Sequence, residues 1–144
     1  MKSLKKNVVL LLGAVLGAML VNVPAHAQGD RVAANVPFDF AVGKFEFKAG
    51  SYRIQRLSGT PFVSLTDADG KTRYTMLTPG GKVANRNGQP YLVFTRYGSE
   101  SFLSKIVFSV DNNYQLPQSN REKEVMSKLV PGEQTVVPIQ PGQD

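Results

Sequence analysis

From residue 36 onward, apolar and polar positions alternate with a period of two. The runs are short and separated by Gly, Pro, Asn and Asp, which is the pattern of an all-β domain. In the first run Val36, Phe38, Phe40 and Val42 share one face and Pro37, Asp39 and Ala41 the other. Pro37 has no amide hydrogen for a ladder bond, which predicts an edge strand or a strand start. Phe45 and Phe47 continue the apolar face past Gly43-Lys44. Ala49-Gly50 predicts a turn before residues 52–57, and Ser58-Gly59-Thr60-Pro61 ends that strand. Residues 62–66 and 72–77 flank Asp67-Ala68-Asp69-Gly70-Lys71, whose Asp-Gly pair fits a β-hairpin. Residues 78–89 hold Pro79, Gly80, Gly81, Asn85, Asn87 and Gly88, predicting the longest exposed loop. Residues 91–97 and 102–110, joined by Gly98-Ser99-Glu100-Ser101, are the most apolar strands and predict a central hairpin.

After Asp111-Asn112-Asn113 the period changes. Ser119-Asn120-Arg121-Glu122 matches a capping box, in which the Ser and Glu side chains each satisfy an orphan amide at a helix start. Val125, Met126 and Leu129 then fall on one helical face. This predicts one short helix, ending before Pro131-Gly132, with its apolar side packed on the sheet or an open barrel end. Pro131, Pro138 and Pro141 punctuate a segment with little to bury, which predicts a flexible tail over residues 131–144. The expected fold class is all-β: an antiparallel sandwich or small barrel of about seven strands with one short C-terminal helix. The pattern does not choose between sandwich and barrel.

The first 27 residues read differently. Met1, Lys2, Lys5 and Lys6 form a basic start, residues 8–23 are apolar, and Ala25-His26-Ala27 presents small residues where a signal peptidase reads them. Cleavage is expected before Gln28. The apolar run sits near the lower limit of about 17 residues for a bilayer span and is weakened by Gly13, Gly17 and Asn22. No later segment is long and apolar enough to span as a helix, so no transmembrane segment is expected after cleavage. The expected organisation is a cleaved signal peptide over 1–27, a single β domain with its short helix over 28–130 and the tail over 131–144. The product is expected to be exported, periplasmic or extracellular.

Processing changes the charge and the chemistry. The whole chain carries 17 Lys+Arg against 11 Asp+Glu; losing Lys2, Lys5 and Lys6 leaves 14 against 11, a net of +3. That is a weak electrostatic footprint, and no nucleic acid partner is expected. It also removes His26, the one histidine, from a chain with no cysteine. Ser-His-Asp and Cys-His nucleophilic catalysis, His/Cys zinc sites, His-held haem and Cys-held iron–sulfur clusters are thereby excluded. So are disulfide staples and a lipid-modified cysteine. No cofactor is expected.

The remaining candidates each compete with an ordinary structural role. Thr78-Pro79-Gly80-Gly81-Lys82 faintly resembles a phosphate loop, but the G-x-x-x-x-G-K-[ST] spacing is absent and Val83 stands where a hydroxyl is needed. Asp67-x-Asp69-Gly70 starts like a calcium loop without the distant acid that completes one, so a hairpin turn is the better reading. Asp39 and Glu46 are the acids nearest the aromatic strands and suit glycoside hydrolysis only if a fixed gap separates them. No lysine after residue 27 follows a serine at the Ser-x-x-Lys spacing. Arg53, Arg56, Arg73, Arg96, Tyr52, Tyr74, Tyr91 and Tyr97 make a set suited to sugars or anionic polymers. Alternation splits that set between faces, favouring half-buried tyrosines and solubilising arginines.

Val36-Pro37-Phe38-Asp39-Phe40, the turn Ala49-Gly50-Ser51-Tyr52, the segment Val93-Phe94-Thr95-Arg96-Tyr97-Gly98 followed by Phe102-Leu103-Ser104, and Leu116-Pro117 before a helix carrying Arg121 and Glu122 resemble a group of small exported bacterial proteins of unknown function. The resemblance spans residues 36–129. It implies export and a shared fold, and carries no activity and no site residues.

The expected function is that of an exported, non-catalytic β domain binding a protein or glycan partner at the cell envelope, through a sheet edge or the loop over 78–89. The alternative is a carrier holding a small apolar ligand among Phe38, Phe40, Phe45, Phe47, Phe94 and Phe108. No catalytic, metal or cofactor residue is assigned, and the partner and oligomeric state stay open.

Overall fold

The computed structural model of the chain describes residues 30–81, 83, 88–128 and 132–141. The expected signal peptide over 1–27 lies outside the described residues, as do Lys82, residues 84–87 within the long loop, and Leu129 and Pro131. Within the described residues, twelve strands and one helix follow in order: β1 (Arg31–Val36), β2 (Phe40–Val42), β3 (Phe45–Phe47), β4 (Gly50–Arg56), β5 (Phe62–Thr66), β6 (Thr72–Met76), β7 (Thr78–Pro79), β8 (Tyr91–Tyr97), β9 (Glu100–Val107), β10 (Asn113–Gln115), α1 (Asn120–Lys128), β11 (Glu133–Pro138) and β12 (Gln140–Pro141). A five-stranded sheet has the order β12-β1-β4-β5-β6. A seven-stranded sheet has the order β11-β8-β9-β10-β7, with the β2–β3 hairpin attached along β9. Pairing is antiparallel except where Ala41 of β2 meets Phe102 of β9. The described residues form an all-β fold of sandwich or half-barrel character, with one strongly curled half-barrel and one short helix.

The strand count exceeds the expected seven because apolar alternation marks an inward face, whereas strands end wherever the chain changes sheet. Val36, Phe40 and Val42 all point inward, yet β1 stops at Val36 and the chain crosses to the other sheet through Pro37-Phe38-Asp39. Pro37 thus marks a crossing rather than an edge strand. Leu77 makes the same passage from β6 to β7, and Ile139 from β11 to β12. Both are buried, and their amides donate to Pro61 O (2.6 Å) and Pro90 O (3.2 Å), so these two amides stay paired at the crossing. Gly43-Lys44 is a two-residue hairpin loop, made possible by the φ of +57° at Gly43, and not a continuous strand. Strand β9 ends at Val107, and residues 108–112 form a turn.

The C-terminal segment overturns the expectation of a flexible tail. Strand β11 pairs with β8 over six residues, from Glu133 opposite Arg96 to Pro138 opposite Tyr91, and β12 pairs with β1. Thr135, Val136 and Val137 are β-branched and suited to a strand. Pro138 and Pro141 are tolerated because both strands lie at sheet edges, where a missing amide goes unnoticed. Val137 and Ile139 are buried, so one segment clasps both sheets.

Phe40 centres the interior: its ring stacks on Phe47 (5.1 Å) and meets Tyr52 (5.3 Å) and Phe94 (5.2 Å) edge-on, and Phe38 meets Phe94 at 5.0 Å. The helix starts as expected, with the Glu122 amide donating to Ser119 Oγ (3.1 Å) and the Ser119 amide bonding the Glu122 carboxylate. Its packing differs from expectation. Met126 is 43% exposed, Val125 is half-buried, and the buried residue on α1 is Glu122. The helix is anchored by its cap and by Arg121 Nε donating to Glu100 (2.8 Å). Among the described residues no helix is long and apolar enough to cross a membrane.

Candidate interaction surface

Strands β5 and β6 form the hairpin expected around Asp67-Gly70. Asp67 Oδ1 accepts from the amides of Asp69 (3.1 Å) and Lys71 (2.8 Å), which occupies the carboxylate in the turn and not in a calcium loop. Val63 and Leu65 point into the core. Phe62, Ser64 and Thr66 therefore face outward, opposite Met76, Tyr74 and Thr72. Phe62 (41% exposed), Tyr74 (58%) and Met76 (48%) form an apolar patch on that outer face.

Strand β6 is also the last strand of its sheet. The Asp67 amide donates to Lys71 O (3.1 Å) and the Leu77 amide to Pro61 O (2.6 Å), fixing the phase of the ladder between them. By alternation, Arg73 and Thr75 direct their backbone groups to β5, while Thr72, Tyr74 and Met76 direct theirs out of the sheet. The other outer strands are blunted. Strands β7, β11 and β12 each contain a proline, and β3 is three residues long with Lys44, Glu46 and Lys48 around it. Strand β6 has no proline and no charge on its outward face.

The arginine–tyrosine set does not assemble. Arg56 forms an ion pair with Asp30 and lies over the Tyr114 ring (5.6 Å), and its pKa is raised by the Asp30 hydrogen bond. Arg73 lies over Phe45 (5.4 Å), Arg96 donates to Gly98 O (2.9 Å) and Arg53 is exposed on the outer face of the five-stranded sheet. Tyr52 is buried and donates to Lys48 O (2.5 Å). Tyr91 and Tyr97 are buried on the outer face of β8, and of these four tyrosines Tyr74 alone is exposed.

Asp39 and Glu46 do line one concavity, of about 220 Å³, together with Glu100, Lys48 and Arg121. Two of its three acids are engaged rather than poised. Asp39 accepts from Lys48 Nζ (2.9 Å) and the Ala49 amide (2.8 Å), which hold its pKa below the usual carboxylate value, and Glu100 pairs with Arg121. A general acid requires the opposite shift. Thr78-Pro79 is strand β7, and the Gly80 amide donates to Asn113 O (2.9 Å), so the backbone that would cradle a phosphate is committed to the sheet.

A residue that sequence reasoning treated only as a cap proves to be the most buried carboxyl among the described residues. Glu122 is 5% exposed and lines a concavity of about 410 Å³ with Lys105, Gln118 and Gln134 over the outer face of β8 and β9. Burial raises its pKa, opposed by the Ser119 amide; burial and then the Glu122 charge raise that of Tyr97. The available signal was helical spacing, since Glu122 and Val125 lie three positions apart on one side of α1. Among the described residues no grouping of three or more His, Cys, Asp or Glu suits a metal ion. Comparison with protein-family models, curated proteins and solved structures returned no match to this chain.

Proposed function

We propose that this chain is an exported, non-catalytic β domain that binds a protein partner at the cell envelope through the β6 edge. The observation that carries this reading is the long β6 edge, which among the described residues carries neither proline nor outward charge and lies beside exposed Phe62, Tyr74 and Met76. Strand addition to such an edge supplies main-chain hydrogen bonds, and the flanking side chains supply selectivity. A strand edge bordered by Phe and Met suits a polypeptide better than a glycan, which calls for an open aromatic platform and convergent polar groups. Export rests on the basic start, apolar run and Ala25-His26-Ala27. The carrier reading has less support, because Phe38, Phe40, Phe47 and Phe94 spend their faces on one another and on Tyr52.

The test is site-specific photocrosslinking of the full chain expressed in its own host. A photoreactive residue at Tyr74 is expected to give a discrete adduct in the envelope fraction, and one at Arg53 none. Equal adducts at both positions, or none at Tyr74, would overturn the reading.

A further inference from the structure

We infer that the strand occupying the β6 edge is β6 of a second copy of this chain, paired antiparallel about a two-fold axis through Tyr74. The inference rests on the reading of that edge as the interaction surface and names its occupant.

The register follows from which backbone groups point outward. Thr72, Tyr74 and Met76 each offer an amide and a carbonyl at the open edge. With Tyr74 opposite the partner's Tyr74, Thr72 falls opposite the partner's Met76 and Met76 opposite the partner's Thr72. All three outward residues are then bonded in both copies, about six hydrogen bonds in total. The neighbouring registers do worse. Centring on Arg73 sets that guanidinium against its own copy and brings Met76 to Gly70. Centring on Thr75 brings Thr72 to Thr78, which has already left for the other sheet as β7.

The side chains agree with the same axis. On the outer face Phe62, Met76 and Tyr74 of one copy continue into Tyr74, Met76 and Phe62 of the other, joining two small apolar patches into one. On the inner face Arg73 falls opposite the partner's Thr75, so no like charges oppose one another, and it remains free to lie over Phe45 of its own copy. The assembly also closes. Pairing uses both β6 edges, and the far end of each sheet is β12, where Pro141 withholds a donor. The product is a dimer with a ten-stranded sheet rather than a fibre.

The absence of cysteine from the chain allows a direct test of the register. A bonded antiparallel pair places its Cα atoms about 5.5 Å apart, within disulfide range. Protein purified from its host's envelope fraction is expected at twice the processed chain mass by native mass spectrometry and sedimentation. Tyr74→Cys is expected to form a covalent dimer under mild oxidation, and Thr72→Cys only when mixed with Met76→Cys. Tyr74→Lys, which sets two ammonium groups on the axis, is expected to weaken association about tenfold or more with an unchanged circular dichroism spectrum. A monomer at every concentration, or Thr72→Cys coupling to itself as readily as Tyr74→Cys, would overturn the inference. A monomer whose Tyr74 photocrosslinks to a different protein rejects the dimer and keeps the edge as a binding surface. A monomer that captures nothing at Tyr74 rejects both.

Discussion

The hairpins β8–β9 and β5–β6 are built to similar local rules and end in different circumstances. Both alternate, both turn tightly through a positive-φ glycine (Gly98 at +62°, Gly70 at +83°), and both carry apolar residues on two faces. In β8 the inward Leu92 and Phe94 and the outward Tyr91, Val93 and Tyr97 are all buried. In β5–β6 the inward Val63 and Leu65 are buried while Phe62, Tyr74 and Met76 remain exposed. The difference is coverage. Strand β8 has β11 and β9 on its sides, with Gly132, Glu122 and Val83 over its outer face, whereas among the described residues β6 has one strand neighbour and its outer face stays exposed at Tyr74 and Met76. Apolar residues on both faces of a strand therefore mean core in one hairpin and contact surface in the other, and neighbours from elsewhere in the chain decide which.

The severest way to break that contrast is to turn β8 into an edge. Ending the chain after Gly132 removes β11 and β12 and exposes the Tyr91–Tyr97 side of the sheet. Val137 and Ile139 lose burial worth about 1.5–3 kcal/mol each, besides their ladder bonds. The expected outcome is loss of the cooperative urea transition and aggregation through the new edge. A truncated chain that melts like the parent would show that the segment behaves as the tail its prolines suggested.

Single side chains sharpen the same comparison. Phe94→Ala empties the site where Phe38 and Phe40 meet and is expected to cost about 3–5 kcal/mol in urea denaturation. Phe62→Ala, measured at low protein concentration so that association does not enter, is expected to stay within about 0.5 kcal/mol. Equal losses would mean that Phe62 is a core residue after all. Next in size is the cover itself. A Cβ at Gly132 would lie 2.6 Å from both Thr95 Cγ2 and the Tyr97 ring, so Gly132→Ala must displace these side chains or the chain over β8 and is expected to cost about 1–3 kcal/mol. Gly81→Ala meets open space and serves as the control, with little change expected in the same melts.

These differences explain what the sequence alone conveys. Alternation identifies inward residues well, because a period of two is dictated by the strand itself: Val36, Phe40, Val42, Tyr52, Ile54, Val63 and Leu65 all point to the core. The Asp67-Gly70 turn and the Ser119–Glu122 cap are legible for the same reason, being built from residues a few positions apart. Sheet changes at Pro37, Leu77 and Ile139 are not legible, since an extended chain that leaves one sheet for another keeps its alternation. Nor is the exposure of Phe62 and Met76, which depends on β6 being the last strand of its sheet among the described residues. Tertiary pairing likewise overrode proline content in β11, because an edge strand tolerates what a central one does not.

The smallest expected effect concerns Glu122, the polar group within the cover over β8 and β9. Burial raises its pKa above the ordinary glutamate value, so the folded chain holds the proton more tightly than the unfolded one. Stability from this group is therefore fully present below the unfolded pKa and is lost as pH rises through the folded pKa. Above that window the ionised carboxylate sits desolvated beside Tyr97, whose hydroxyl burial and the Glu122 charge hold protonated to higher pH. Glu122→Gln keeps an acceptor for the Ser119 amide, since Gln serves in the same box, and removes the titration. The variant is expected to lack the parent's decline in stability across the window and to match or slightly exceed the parent at neutral pH, read from urea melts at closely spaced pH values. A variant that still falls with the parent's slope would place that slope on other groups, and would mean that water reaches the Glu122 carboxylate through the concavity over β8.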